Sequence, residues 1–252
     1  MDTAFNYRDF TSQRRLAAVA GDLLAQFTIS TKVGFFPNPH GRPVHSLDPA
    51  RLATAVEQSC QDLGRIPDVV LLHNPEHSLT ALPTDQAGDL FAAACAALAD
   101  AVSVGLAREW GISSWNPAPV LGVIRAGEIE HRPSVVMVRV GLTLPDPALT
   151  AACELGEAFA IPPDRRWGMS PFAGSTTDQA WRTTNLSPLV TGQPHPSTPQ
   201  AAFRLTYELP PVTRVAVSTS DATHLRELVT ATGLDVDDAA LHRYRALLRT
   251  GT

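Results

Sequence analysis

The single lysine of this chain, Lys32, is the first residue whose type and position suggest chemistry. Lysine and arginine together number 20 in the 252 residues, and all the others are arginines. Lys32 lies in the alternating run 27–33, which is typical of a short β-strand. An ammonium is a compact charge that fits against one phenol and one carboxylate, whereas a guanidinium is a broad fork that stays protonated. Lys32 is therefore a catalytic candidate, the alternative being a solvated amine at a strand end.

Other polar side chains also stand where predicted strands end. Short apolar strands alternate with longer amphipathic stretches along the chain, which indicates repeated βα units and a parallel sheet. In a parallel barrel the active site lies at the carboxyl ends of the strands. Besides Lys32, the polar residues at these ends are His73, Ser113, Ser114, Arg139, Ser170 and Ser218 to Ser220.

These patterns predict six strands and eight helices. The strands cover residues 27–33, 68–73, 109–113, 134–140, 166–170 and 214–218. The helices cover residues 12–24, 49–63, 85–106, 118–126, 147–158, 198–208, 222–231 and 236–248. Some helices begin with a capping side chain before a proline, as at Asp48-Pro49, Asn116-Pro117 and Asp146-Pro147. The stretch 175–197 is the one long irregular connection, and such insertions usually shape the mouth of a barrel's active site.

Alternation separates polar from apolar side chains within the strand 27–33. Thr28, Ser30 and Lys32 share one face, and Phe27 and Ile29 share the other. This pattern predicts helices packed against the apolar face, with Lys32 directed toward the lumen of a barrel.

Composition and charge exclude several classes of partner. The chain is 44% hydrophobic and 18% charged, as expected for a globular protein, and its formal net charge is −5. The arginines are scattered, so we expect no nucleic-acid partner. No apolar run approaches the ~18 residues of a spanning helix, and no signal peptide is recognisable. We therefore expect a cytoplasmic protein without a membrane partner.

The cysteines do not form a recognisable pattern. Cys60, Cys95 and Cys153 are odd in number and widely spaced. They predict neither a disulfide framework nor a metal site, and we interpret all three as buried thiols.

Four sequence blocks, taken in order, resemble a known family. The blocks are Asp2-Thr3-Ala4-Phe5-Asn6-Tyr7, Ser30-Thr31-Lys32-Val33-Gly34, Val69-Val70-Leu71-Leu72-His73-Asn74-Pro75-Glu76 and Trp110-Gly111-Ile112-Ser113-Ser114-Trp115. Together they resemble the signature blocks of the aldo-keto reductase family, and residues 170–174 and 215–225 resemble its later cofactor-binding segments. The resemblance covers nearly the whole chain. It implies a (β/α)8 barrel that binds NADPH in an extended pose and reduces an aldehyde or ketone to an alcohol.

The resemblance implies a catalytic tetrad of Asp2, Tyr7, Lys32 and His73. Hydride would pass from the nicotinamide to the carbonyl carbon, and the developing alkoxide would take a proton from Tyr7. Lys32 would stabilise the phenolate, Asp2 would hold Lys32 in place, and His73 would orient the carbonyl oxygen. The alternatives are a packed tyrosine ring, a core histidine and a fraying terminal aspartate.

The resemblance also implies residues that contact the cofactor. Ser113 and Ser114 would hold the carboxamide, although both could instead cap the next helix. Ser114 replaces the family's usual asparagine, and Met137 replaces a glutamine in a strand that ends with Arg139. The further implied cofactor-binding residues are Ser170, Pro171, Phe172, Gly174, Ser218, Thr219, Ser220 and His224. NADPH is the expected cofactor, and NADH is the alternative.

The last βα loop differs from the family pattern for the 2′-phosphate. Ser218 stands where many members have lysine, and His224 stands where they have arginine. Leu228 replaces an asparagine that contacts the adenine. These exchanges weaken the expected NADPH binding, while backbone N–H groups at the helix start near Asp221 could still receive phosphate.

The first residues correspond to the end of the second strand of such a barrel. We therefore expect one barrel domain over residues 1–252, of the (β/α)8 TIM-barrel type, that lacks the first strand, the first helix and most of the second strand. Missing strands would expose two sheet edges. A homodimer that covers these edges is the expected assembly.

Two functions are consistent with these residues. The first is NAD(P)H-dependent reduction of a small or medium-sized carbonyl metabolite, or the reverse reaction, in secondary metabolism. The second is a shortened non-redox barrel that uses Tyr7, Lys32 and His73 for isomerisation, dehydration or cyclisation, or that only binds a ligand. The loops that would shape the substrate pocket carry no specific motif, so the sequence does not identify the substrate.

Overall fold

The computed structural model describes residues 1–177, 179–191 and 196–250. The chain divides into two compact units, the first formed by residues 1–137 and 155–161 and the second by residues 138–154 and 162–252. No helix in the described ranges is both long enough and apolar enough to cross a membrane. The irregular stretch 175–197 lies partly outside the described residues, at Asp178 and residues 192–195.

The first unit alternates strands and helices. Its strands are β1 (Ser30–Val33), β2 (Phe35–Pro37), β3 (Pro43–His45), β4 (Val69–His73), β5 (Glu109–Ser114) and the first three residues of β6 (Val135–Arg139). Its helices are α1 (Tyr7–Phe10), α2 (Ser12–Ala20), α3 (Pro49–Leu63), α4 (Glu76–Leu79), α5 (Thr84–Ser103) and α6 (Ala118–Ala126). A 3₁₀ turn, Gly21–Gln26, follows α2.

The second unit continues the alternation. It holds most of α7 (Asp146–Ala158), then β7 (Arg166–Met169), α8 (Gln179–Thr183), β8 (Val190–Thr191), α9 (Thr198–Leu205), β9 (Arg214–Ala216), α10 (Ala222–Ala231), β10 (Asp235–Val236) and α11 (Asp238–Thr250). Its largest core cluster includes Leu144, Trp181 and Leu205, and a second cluster forms around Phe203 and Leu228.

Strand order in the main sheet follows chain order. In the first unit the order is β1, β4, β5 and β6, and the pairs β1–β4 and β4–β5 are parallel. In the second unit the order is β6, β7 and β9, and β7 pairs in parallel with β9. Helices connect consecutive parallel strands, as expected for βα units. The α/β class predicted from the sequence is therefore confirmed.

The two faces of β1 meet different surroundings. Thr31 accepts a hydrogen bond from the amide of Gln13 at 2.7 Å, and the same amide donates to Ser59 in α3 at 3.0 Å. Ile29 is fully buried against Leu24 and other apolar residues before and after the strand. Because side chains alternate along a strand, Lys32 lies on the face opposite to these helices, as the sequence predicted.

The first residues of the chain lie beside β1. Asp2 forms a parallel bridge with Ser30. The N–H of Thr3 donates to the carbonyl of Ser30 at 2.9 Å, and the N–H of Phe5 donates to the carbonyl of Lys32 at 2.9 Å. These bonds fix Asp2 next to the strand that carries Lys32, so the frayed-terminus alternative for Asp2 is wrong.

The six predicted strands and eight predicted helices are present, with two instructive differences in their bounds. The first strand begins at Ser30 rather than at residue 27, because the N–H of Ile29 donates to the Asp68 carboxylate at 2.8 Å and Phe27 is 42% exposed. The last helix begins at Asp238 rather than at residue 236, because Val236 pairs with Val190 in a short antiparallel sheet.

The cysteines correct one expectation. None of the three forms a disulfide, but only Cys95 is fully buried, while Cys60 and Cys153 are half-buried. Burial raises the pKa of Cys95 to about 12. The thiol of Cys60 donates to the carbonyl of Leu106 at 3.0 Å, which anchors α3 to the segment before β5.

A glycine in β5 sets the packing of the sheet interior. A Cβ on Gly111 would lie 2.4 Å from the carbonyl oxygen of Val135 and 2.8 Å from Leu71 Cδ2. We expect Gly111→Ala to lower the free energy of unfolding by about 1–3 kcal/mol because the strand must move. In the control, Gly88→Ala in α5, the new Cβ meets no atom within 4 Å, and we expect a gain of about 0.5–1 kcal/mol. Urea unfolding measures both changes, and equal effects would contradict the packing argument.

Candidate active site

The centre of the site is an ion pair between the buried ammonium of Lys32 and the carboxylate of Asp2, whose side chain is 20% exposed. Lys32 is 1% exposed, and its ammonium donates to Asp2 Oδ2 and to the carbonyl of Thr3, the latter at 3.3 Å. The second carboxylate oxygen of Asp2 accepts the hydroxyl of Ser30 at 2.7 Å. A buried ammonium is stable only when paired. The solvated-amine alternative for Lys32 is therefore wrong.

Tyr7 and His73 lie next to this pair. The Lys32 ammonium is 5.2 Å from the centre of the Tyr7 ring, and the Tyr7 and His73 rings meet edge to face at 6.0 Å. Tyr7 is 39% exposed, whereas His73 is only 7% exposed. The structure thus brings together all four residues of the expected tetrad, and Tyr7 is more exposed to solvent than His73.

The short element α1, which begins with Tyr7, is a left-handed turn rather than a regular α-helix. The three residues after Tyr7, namely Arg8, Asp9 and Phe10, have φ of 50°, 52° and 62°. This conformation is unfavourable for residues other than glycine. The carbonyl of Arg8 accepts the N–H and hydroxyl of Thr11, at 3.1 and 2.6 Å, which holds the turn closed.

Three imidazoles surround Phe35 beside the tetrad. The Phe35 ring lies 4.8 Å from His45, 5.0 Å from His73 and 5.4 Å from His77, measured between ring centres. His45 Nε2–H donates to the carbonyl of His73 at 2.8 Å, and the hydroxyl of Ser78 lies 2.7 Å from His45 Nδ1. The hairpin of β2 and β3 therefore supports the end of β4.

Two of these three histidines, His73 and His45, are neutral near pH 7. Burial lowers the pKa of His73 to about 3, with further contributions from the Lys32 charge and from His45 and His77. Burial also lowers the pKa of His45 to about 4, although its hydrogen bond to the His73 carbonyl acts in the opposite direction. Within the described part of the chain, Nδ1 of His73 is buried without a hydrogen-bond partner.

The end of β5 is joined to α4 by a buried glutamate. Glu76 is 6% exposed, and its Oε1 accepts the backbone N–H groups of Trp115 and Asn116 at 2.7 and 2.9 Å. Its Oε2 accepts the hydroxyl of Ser114 at 3.0 Å. Ser113 and Ser114 are both fully buried. Ser113 is paired in register with His73.

Five more residues that the resemblance implies in cofactor binding lie between positions 137 and 174, one in the first unit and four in the second. Met137, in the first unit, is 2% exposed within β6. In the second unit Ser170 has a φ of 56°, and the carbonyl of Pro171 lies close to Gly141, where a Cβ would approach it to 2.7 Å. Phe172 stacks on Phe203 at 6.2 Å. Gly174 has a φ of 105°, which suits a residue without a Cβ.

The loop before α10 exposes several hydroxyl groups. Ser218, Thr219 and Ser220 are exposed. The Asp221 carboxylate accepts the N–H of Thr223 at 2.7 Å and so caps α10, and this bond is the largest cause that lowers the pKa of Asp221. His224 Nε2 lies 3.9 Å from Asp221 Oδ2. A carboxylate therefore occupies the helix start.

No group of three or more histidine, cysteine, aspartate or glutamate side chains within residues 1–177, 179–191 and 196–250 could hold a metal ion. The three imidazoles around Phe35 instead contact an aromatic ring, a hydroxyl and a carbonyl.

The fold corresponds to that of a known class of barrel proteins. An aldo-keto reductase from Bacillus halodurans in its holo form has a TM-score of 0.71 at 17% identity, covering 98% of this chain and 81% of that chain. The aldo-keto reductase from Klebsiella pneumoniae in complex with NADPH has the same score and identity, with 98% and 78% coverage. The aldose reductase from Schistosoma japonicum has a TM-score of 0.61 at 16% identity, with 97% and 78% coverage. The predicted TIM-barrel type of fold is thereby confirmed.

The model of the aldo/keto reductase family matches residues 1–154, which include the whole tetrad. The chain belongs to the aldo/keto reductase family. A comparison with curated proteins found no match.

Sequence reasoning missed two residues of the site. Glu76 closes the block that carries His73, but its contacts lie 38 to 40 positions away. A glutamate directly after Asn-Pro at a helix start was the available signal, because such a carboxylate often accepts backbone N–H groups. His45 lies 28 positions from His73, and no local pattern pointed to this contact.

The neutral histidines predict loss of stability in mild acid. A pKa of about 3 in the folded state, below the ordinary 6.5, means that the folded protein binds fewer protons than the unfolded chain. Stability is therefore complete above pH 6.5 and falls as the pH drops toward 3. From pH 6.5 to 5 we expect His73 alone to cost roughly 2 kcal/mol. Urea unfolding of the wild type and of His73→Asn measures this, with the exposed His40→Asn as control. An equal pH slope in His73→Asn would contradict it.

Proposed function

We propose that the protein is an NADPH-dependent reductase of a small or medium-sized carbonyl metabolite, also able to run in reverse, and that it acts in secondary metabolism. The observation that carries this proposal is the ion pair of the buried Lys32 with Asp2, beneath the ring of Tyr7 and beside His73. The Klebsiella relative is known in complex with NADPH, which supports this cofactor, with NADH as the alternative.

The proton chemistry follows from the four side chains. Bound NADPH supplies hydride to the carbonyl carbon. Tyr7 donates its phenolic proton to the carbonyl oxygen as negative charge develops there. Lys32 stabilises the phenolate that remains, and Asp2 holds the ammonium in place. Because His73 is neutral at pH 7, one of its ring nitrogens carries a proton and can orient the carbonyl oxygen.

The chain offers different support for the two ends of the cofactor. At the nicotinamide end, the Ser113 hydroxyl belongs to a residue paired with His73, which suits recognition of a carboxamide. At the 2′-phosphate end, the Asp221 carboxylate already caps α10, and like charge disfavours a phosphate there. The exposed hydroxyls of Ser218, Thr219 and Ser220 are the polar groups that remain for it.

Replacing the proposed acid tests the function directly. We expect the wild type to bind NADPH saturably and to reduce members of a broad carbonyl panel. Tyr7→Phe should bind NADPH with a dissociation constant within twofold of the wild type, because only a hydroxyl is lost, yet turnover should fall about 10²- to 10⁴-fold. Tyr207→Phe, in a tyrosine outside the tetrad, is the control. Tryptophan quenching and NADPH oxidation provide the readouts, and a folded wild type without NADPH binding would favour the non-redox alternative.

A charge-conserving exchange tests the geometry of the ammonium. Lys32→Arg keeps the positive charge but introduces a planar fork into a site where the side chain is 1% exposed. We expect turnover to fall at least tenfold while Asp2 still has a charged partner. Steady-state kinetics measure the change, with Arg108→Lys, at an arginine that is 71% exposed, as the matched surface control. Unchanged turnover in Lys32→Arg would contradict the role given to Lys32.

Three further expectations stay predictions. These are the cytoplasmic location, the homodimer and the single domain over residues 1–252. The substrate pocket also stays a prediction, because loop 175–197 is only partly described.

A further inference from the structure

A four-bond connection joins the segment after His73 to the end of β5. Three of its bonds end on the Glu76 carboxylate, from the Ser114 hydroxyl and from two successive backbone N–H groups. The fourth runs from the N–H of Asn74 to the carbonyl of Ser113 at 2.6 Å. Asn74 has a φ of 51°, and this left-handed step turns the chain so that Glu76 reaches β5.

Strand alternation assigns different tasks to the two serines. Ser113 is the register partner of His73, so the two side chains share one face of the sheet. Ser114 lies on the opposite face, where its hydroxyl donates to Glu76 and its side chain is fully buried. A hydroxyl has one proton to donate, and in Ser114 that proton is committed to the carboxylate.

We infer that Glu76 is a positioning residue that holds the Ser113 hydroxyl beside His73 for recognition of the nicotinamide carboxamide, and that Ser114 is its tether rather than a cofactor contact. The inference rests on the proposed function. It assigns Ser114 a task different from the one that the family resemblance implied.

The number of donors explains why a carboxylate serves here. Glu76 presents two acceptor oxygens to three donors, of which the Ser114 hydroxyl is buried and the two backbone N–H groups are partly buried. In Glu76→Gln the amide oxygen can still accept both backbone N–H groups, while the amide nitrogen faces the Ser114 hydroxyl, which must turn to accept. In Glu76→Ala all three donors lose their acceptor, and the turn after β5 is released.

Binding of NADP⁺ and of its 3-acetylpyridine analogue distinguishes a residue that contacts the carboxamide from one that only positions such a residue. The analogue replaces the carboxamide amine with a methyl group, so only a residue in contact with that amine changes the ratio of the two dissociation constants. Tryptophan quenching gives both dissociation constants without turnover. We expect Glu76→Ala to weaken NADP⁺ binding at least tenfold and Glu76→Gln to weaken it about threefold. The exposed Glu128→Ala should match the wild type. The ratio of the two constants should stay unchanged in Ser114→Ala and approach one in Ser113→Ala.

Several results would overturn the inference. If Glu76→Ala melts at a lower temperature but binds NADP⁺ like the wild type, the role of Glu76 is structural only. If Glu76→Ala does not fold, Glu76→Gln takes its place in the test. An NADP⁺ dissociation constant of Glu76→Gln equal to that of the wild type would then show a structural role only. A change of the analogue ratio in Ser114→Ala would show direct contact of Ser114 with the carboxamide. In all these cases the wild type still binds NADP⁺ and the proposed function stands, whereas a folded wild type that binds neither nucleotide overturns both.

Discussion

Burial of the Lys32 ammonium constrains the rest of the site. Moving an ammonium out of water costs several kcal/mol unless it is paired, and removing the partner of a buried charge typically costs about 3–5 kcal/mol. Asp2 must therefore stay in place, and it is held by the Ser30 hydroxyl and by the backbone bonds of residues 1–5 to β1. Tyr7 follows shortly after this segment. The pairing of the Lys32 ammonium with Asp2 therefore also fixes the part of the chain that leads to Tyr7.

The two imidazoles next to this pair, those of His73 and His45, add no further charge at pH 7. The pKa of His73 and that of His45 are both lowered by burial, so both rings are neutral at pH 7. A second cation next to Lys32 would compete for Asp2 and weaken its hold on the ammonium. The neutral imidazoles instead act through hydrogen bonds and ring edges, as in the bond from His45 to the His73 carbonyl. In the proposed mechanism the fixed positive charge and the transferred proton therefore belong to different side chains.

Much of this arrangement could be predicted from the sequence because it depends on local patterns. Alternation placed Lys32 on the face away from the helices, and the Asp48-Pro49 signal marked the start of α3, where Asp48 accepts the N–H of Arg51. Predictions were wrong or missing where distant residues decide. Val236 became a strand because it meets Val190, 46 positions away. Glu76 could not be recognised as the link between two strand ends because its donors lie 38 to 40 positions ahead.

The left-handed turn at Arg8, Asp9 and Phe10 has a consequence for how the protein tolerates heat. Each such residue stores roughly 1–2 kcal/mol of backbone strain, which only the surrounding contacts keep in place, such as the edge-to-face packing of Phe10 on Phe5 at 5.7 Å. A strained segment that is partly exposed can relax while the sheet beneath it stays intact. On warming, the phenol would then leave the ammonium before the barrel strands separate. The contact of Tyr7 with Lys32 and the global fold would have different melting points.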